Sequence, residues 1–83
     1  MRLDKFLKVS RLIKRRTVAN EVCEAARVFV NDNPAKPAKQ LKVGDEIKIE
    51  YFSKTVCARV LKIPTGNISI NDAPALYEII EGQ

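Results

Sequence analysis

The sequence predicts an α+β fold, with two packed N-terminal helices followed by a small antiparallel or mixed sheet. Three observations carry that expectation. Apolar residues between Leu3 and Ala26 recur at helical spacing in two runs, separated by Lys14, Arg15 and Arg16. After Arg27 the pattern changes to short β-branched or alternating runs, punctuated by Asn, Asp, Gly and Pro. Helical and strand patterns are therefore segregated along the chain, which argues against repeated βαβ units. With 83 residues, 46% hydrophobic and 30% charged, the chain is long enough for one globular domain with one modest core.

The first helix is expected from Leu3 to about Ile13. At about 100° per residue, Leu3, Phe6, Ser10 and Ile13 share one side, flanked by Leu7 and Val9. Lys5, Lys8, Arg11 and Arg15 fall opposite. Leu12 lies off the apolar stripe, where it would meet something beyond the first helix's own core. Thr17 is a suitable N-cap for a second helix, with Glu21 in its first turn near the positive helix end. Val18, Ala19, Val22, Cys23, Ala25 and Ala26 form its apolar face, and Asn20, Glu21, Glu24 and Arg27 its polar one. The small residues allow close helix packing.

Val28–Val30 reads as a strand, followed by the turn-formers Asn31, Asp32 and Asn33. Pro37 restricts any strand within residues 36–40 to a short edge. Leu41–Asp45 reads as a turn. A strand over Glu46–Phe52 alternates, with Ile47, Ile49 and Tyr51 on one face. Ser53 and Lys54 turn the chain into a longer strand over Thr55–Ile63. Another turn over Pro64–Asn67 and a short strand over Ile68–Ile70 follow. Asp72 is placed to cap a helical turn through Pro74 to Leu76, and Tyr77–Ile80 is expected to return to the sheet.

Charge is unevenly distributed. Residues 1–16 hold Arg2, Lys5, Lys8, Arg11, Lys14, Arg15 and Arg16 against Asp4, a net of +6. The remainder carries eight basic and nine acidic residues, a net of −1. Segregation on this scale exceeds what solubility requires and points to an anionic partner. A phosphate backbone attracts such a cluster through neutralisation and counterion release.

The residues Arg2, Leu3, Asp4 and Leu7, then Arg15, Arg16, Thr17 and Ala19, then Val28, Val30 and Asn31, and finally Val43, Gly44, Asp45 and Ile47 together resemble the S-four type RNA-binding domain, also called the alpha-L motif. The opening run MRLDKFLKVSRLIKRRT is similar to the stand-alone RqcP type of ribosome-associated quality-control factor and to the fifteen-kilodalton heat-shock protein family. The resemblance implies an RNA-binding motif over residues 1–50, with residues 51–83 completing the sheet of a single domain over 1–83. Two positions depart from the family pattern. Ala26 replaces the usual Gly before the first strand, and Asp32 replaces the Gly of an Asn-Gly turn. Ala in a left-handed cap costs about 1 kcal/mol, so a different local turn is a reasonable expectation.

The resemblance implies binding to large ribosomal subunits carrying a stranded peptidyl-tRNA, with contact to ribosomal RNA and tRNA. It also implies assistance to template-free C-terminal tailing, beside a tailing factor on the stalled subunit. Candidate RNA-binding residues are Arg2, Lys5, Lys8, Arg11, Lys14, Arg15, Arg16, Thr17, Asn20, Arg27, Lys36 and Lys39. Arg2, Arg15 and Arg16 lead that set, because arginine holds phosphate in a fork or stacks on a base. Several have competing roles: Thr17 as a simple cap, Asn20 and Arg27 as solvated polar residues sharing a helix face, Lys36 and Lys39 as guards of an edge strand.

Other function classes fit less well. There is no His, no metal cluster and no phosphate-cradling Gly loop, so neither catalysis nor a cofactor is expected. Cys23 and Cys57 read as small buried apolar residues. A helix-turn-helix would read bases with its second helix, yet Glu21 and Glu24 face outward there. The first helix is basic and amphipathic enough for a membrane surface, but a second helix is available to cover its apolar face. A general structured-RNA binder and a protein–protein adaptor stay open as alternatives. The aromatic fraction is 6% without Trp, which disfavours a single-strand stacking platform and favours recognition of folded RNA. A cytoplasmic monomer is expected, with no segment suited to spanning a bilayer.

Overall fold

The computed structural model describes residues 1–51, 54–64 and 70–80. Two helices, α1 (Leu3–Val9) and α2 (Arg16–Glu24), precede the strands β1 (Val28–Val30), β2 (Asn33–Pro34), β3 (Glu46–Tyr51) and β4 (Lys54–Val60). A 3₁₀ helix (Ile70–Leu76) then leads into β5 (Tyr77–Ile79). The strands form one sheet in the order β2-β1-β3-β4-β5, and every neighbouring pair is antiparallel. The expected α+β class is present, with its sheet antiparallel.

Leu3, Phe6 and Leu7 of α1 join Ala19 and Cys23 of α2 in one core with Val28, Val30, Ile47, Ile49, Val60 and Leu76. Alternation along β3 explains the sheet's two faces. Ile47 and Ile49 are buried, while Glu46, Lys48 and Glu50 point the other way. Register then places Phe29, Cys57 and Arg59 on that outer face. Cys57 is accordingly only half-buried, not a core residue, whereas Cys23 is buried and its thiol is pushed up to about 11 by desolvation and the nearby acids Asp4 and Glu24.

The first helix ends four residues earlier than its apolar period suggests. Ser10 is buried, and its hydroxyl donates to the Leu7 carbonyl at 3.3 Å. Arg11 then turns left-handed at φ 65, and the Ile13 N–H returns to the Leu7 carbonyl at 3.0 Å. This turn still buries Ile13 and brings Leu12 against the core. In α2 the boundaries also shift. Arg15 is the N-cap residue, in an extended conformation, without a side-chain cap bond. Thr17 therefore lies inside the first turn and is not the cap, and Glu21 lies beyond that turn.

The other end of α2 closes in a Schellman arrangement. Ala26 has φ 60, its N–H donates to Cys23, and the Arg27 N–H donates to Val22, both at 3.0 Å. The glycine-like turn thus forms with alanine, contrary to the expectation of a different one. Ala25 and Ala26 are exposed instead of extending the apolar face. Asn31 and Asp32 likewise both adopt positive φ, 52 and 70, in the two-residue turn between β1 and β2. The Asn31 side chain donates to Asp45 at 3.2 Å and accepts from the Glu46 N–H at 3.1 Å, fixing the turn to the start of β3.

The edge strand is Asn33–Pro34, not part of residues 36–40. The latter segment instead docks on α1. Its Lys39 and Pro37 carbonyls accept the Leu3 and Asp4 N–H groups at 2.8 and 3.1 Å. Those two orphan donors of the helix start are thereby satisfied. Arg2 forms an isolated antiparallel bridge with Gln40. Gly44, at φ 96, completes the tight turn that delivers the chain to β3. β4 ends at Val60, earlier than Ile63, because the Leu61 and Lys62 N–H groups both turn to the Leu76 carbonyl. Ile70 belongs to the 3₁₀ helix, with Asp72 in its first turn. The expected positions of Phe52, Ser53 and residues 65–69 lie outside the described residues.

Candidate nucleic-acid interface

The basic residues of the first sixteen positions divide between the exposed side of α1 and the connection to α2. Lys5 and Lys8 are exposed on α1 because the core takes Leu3, Phe6 and Leu7. Arg11, Lys14 and Arg15 are exposed in the connection, and Arg16 opens α2. The left-handed turn at Arg11 makes the chain reverse between the helices, so this connection is a compact cationic corner.

At the centre of this basic group lies an acid that charge counting treats only as a subtraction. Asp4 is 2% exposed. Its two oxygens accept from Arg2 Nε and the second Arg2 guanidinium nitrogen, each at 3.2 Å, and from the Lys5 N–H at 2.7 Å. Arg16 approaches the same carboxylate at 3.6 Å. Burial alone would raise the Asp4 pKa, but the guanidinium groups of Arg16 and Arg2 and the Lys5 N–H outweigh it and hold the carboxyl below its usual range. Asp4 is therefore ionised near neutrality.

This carboxylate joins an arginine that precedes α1 to an arginine that starts α2. The Arg2 and Arg16 side chains remain 46% and 50% exposed. The Arg2 guanidinium is thus held along one edge by two hydrogen bonds, the Arg16 guanidinium makes a single longer ion-pair contact to the same carboxylate, and about half of each side chain stays exposed. The cluster sacrifices one positive charge and gains orientation, chiefly of Arg2, whose long side chain loses rotamer freedom before a partner arrives. Asp4 is a member of this cluster that the basic candidate set did not include. Its signals in the sequence were its place in the motif of Arg2, Leu3, Asp4 and Leu7 and an acid in the first turn of an otherwise basic helix.

The remaining candidates are distributed unequally. Thr17 is exposed one residue after Arg16, and Asn20 is half-buried one turn further along α2. Lys36 and Lys39 are exposed on the segment bonded to the start of α1, which places them beside Arg2 rather than along an edge strand. Arg27 is not brought to this group. It follows the closing turn of α2, a helix about 13 Å long, and its carbonyl accepts from Glu50 at the sheet. It does not share a helix face with Asn20.

Elsewhere the surface has another character. On the outer sheet face Arg59 bonds both Glu78 and Glu46, at 2.7 and 3.3 Å, and Lys48 lies 4.8 Å from the centre of the Phe29 ring. These contacts occupy the positive groups of that face with local partners. Among the described residues no group of three or more His, Cys, Asp or Glu side chains is arranged to hold a metal ion, and no helix is long and apolar enough to cross a membrane.

Comparison with known proteins agrees with this architecture. The S4 domain family matches residues 1–47. The RQC P-site tRNA stabilizing factor of Bacillus subtilis (strain 168) is 53% identical over 81 residues, covering 98% of this chain and 93% of that protein. The factor of the same name from Halalkalibacterium halodurans is 49% identical over 79 residues, covering 95% and 89%. The trimeric structure of Vibrio cholerae heat shock protein 15 superposes with a TM-score of 0.86 at 29% identity, covering 96% of this chain and 81% of that one. With a family match across more than half its length and relatives near half identity across nearly all of it, the chain belongs to the RQC P-site tRNA stabilizing factor family, built on an S4 domain.

Proposed function

We propose that this protein is a non-catalytic RNA-binding factor of ribosome-associated quality control, acting in the cytoplasm as a monomer. It docks on a large ribosomal subunit that carries a stalled peptidyl-tRNA. There it contacts ribosomal RNA and tRNA together and holds the tRNA while a tailing factor extends the nascent chain without a template. The single domain presents RNA-binding residues within its first fifty positions, and the rest of the chain completes the sheet beneath them.

The observation that carries this reading is the Asp4-centred arrangement of Arg2 and Arg16, flanked by exposed Lys5, Lys8, Arg11, Lys14 and Arg15. Two half-exposed guanidinium groups gathered at one carboxylate, Arg2 through two hydrogen bonds, suit rigid phosphates or a base edge in folded RNA. The relatives' name, RQC P-site tRNA stabilizing factor, supports the ribosomal setting and the P-site tRNA. Thr17, Asn20, Lys36 and Lys39 extend this surface, while Arg27 is its least supported member because α2 separates it from the rest.

Co-sedimentation with purified large subunits, prepared with and without a trapped peptidyl-tRNA, tests the proposal. Preferential recovery with the tRNA-bearing particle is expected. Equal recovery with both would leave a general ribosome-binding protein, and absence from both would end the ribosomal reading. Arg2→Ala and Arg16→Ala should each reduce recovery while circular dichroism remains that of the parent.

A further inference from the structure

We infer that the RNA surface continues past the two helices into a second cationic wing, in which Lys42 and Lys62 contact phosphate groups alongside the surface centred on Arg2. This inference rests on the RNA-binding reading above and extends the footprint to two residues outside the original candidate set.

Backbone bonds establish the placement. Arg2 pairs with Gln40, and the Leu41 N–H donates to the Met1 carbonyl at 2.9 Å. Leu41 is buried between exposed Gln40 and Lys42, the alternation of an extended chain. Gln40 and Lys42 therefore project from one side, and antiparallel partners share a side, so that side is also Arg2's. The next turn is fastened to the end of β4 by the Gly44 N–H to the Val60 carbonyl at 2.9 Å and the Val60 N–H to the Asp45 carbonyl at 2.8 Å. Lys62 follows Val60 by two residues and is exposed at this same end of the sheet.

The acids nearest Lys42 in the chain have other hydrogen-bond or ion-pair partners. Both Asp45 oxygens accept hydrogen bonds, one from Asn31 and the other from the Lys42 backbone N–H. Glu46 pairs with Arg59. Residues 33–44 contain three lysines and no acid, so the segment has no internal counter-charge. Among the described residues, the ion pairs fall on Arg2, Arg16 and Arg59, and none engages Lys42 or Lys62. Exposed ammonium groups without an ion pair, on the segment bonded beside Arg2 and at the strand end fastened to that segment, suit an extended phosphate track, where lysine acts as a point charge.

The test measures affinity of the full chain for large subunits carrying a peptidyl-tRNA across a salt series. The parent is compared with Lys42→Gln/Lys62→Gln and with Lys48→Gln, whose ammonium lies over Phe29 on the outer sheet face. Two lost phosphate contacts should weaken binding about tenfold at moderate salt and reduce the slope of log affinity against log salt by about 1.5. Lys48→Gln should match the parent. If the parent binds and the double variant matches it in affinity and slope, the wing is excluded and the helical surface stands alone. If the parent fails to bind, the RNA reading itself fails, and the wing with it. Val43 and Leu61 are 62% and 43% exposed beside the two lysines, so vesicles containing phosphatidylserine serve as a second probe. Binding to vesicles that depends on both lysines, with RNA binding unchanged, would reassign the wing to a lipid surface.

Discussion

Arg11, Ala26, Asn31 and Asp32 all adopt positive φ without being glycine. Asn31 has compensation, since its side chain bonds both Asp45 and Glu46. Ala26 has a backbone motif but no side chain able to offset its strain. Ala26→Gly should therefore raise stability by about 0.5–1 kcal/mol, read as a midpoint several degrees higher in thermal unfolding. Arg11 presents the same geometry with a charged side chain in the cationic corner. Arg11→Gly should stabilise the fold by a similar amount, about 0.5–1 kcal/mol, while weakening RNA binding severalfold. Chemical unfolding and subunit binding on the same variant check this opposition. A variant with both properties diminished would show that Arg11 supports the fold rather than the ligand.

Between elements, Asp4 connects the residue preceding α1 to the first residue of α2. Its folded pKa lies below its unfolded one, so the ionised carboxylate adds stability above the unfolded value, near pH 4. That contribution falls away as pH drops through the lower folded value. Asp4→Asn should cost about 1 kcal/mol at neutral pH, and the gap from the parent should close below about pH 4. Urea titrations at pH 7 and pH 3 give the comparison. The same variant raises net charge by one, so simple attraction predicts tighter RNA binding. Loss of arginine orientation predicts weaker binding, by about three- to tenfold if one side chain must be re-ordered. We expect the weaker result.

Across the whole molecule, charge is sorted by surface. The sheet's outer face neutralises Arg59 between Glu46 and Glu78, while the α1–α2 corner leaves its lysines and arginines exposed. Binding to RNA should therefore fall steeply with salt, and Arg16→Ala should lower the log–log slope by about one phosphate contact. A full salt series on parent and variant measures this. An unchanged slope with reduced affinity would assign Arg16 to base stacking or to support of Asp4 instead of phosphate neutralisation.

Legible in the sequence were the segregation of two helices from a sheet, the apolar side of α1, the buried Ala19 and Cys23 of α2 and Ile47 and Ile49 of β3, and the basic bias of the first sixteen residues. Each is a local or periodic property: burial demands a repeating apolar face, and charge is simply countable. Helix ends were less legible, because Ser10, Arg11 and Arg15 set them through turn geometry that competes with a continuing period. The burial of Asp4 between two arginines was not legible in the sequence, since it requires Arg2 and Arg16 to meet across fourteen positions. Tertiary structure also decided that Lys36 and Lys39 join the start of α1 while Arg27 is carried away. Those placements depend on where carbonyls of residues 37 and 39 find donors, and on the rise of α2, which no count of residue types contains.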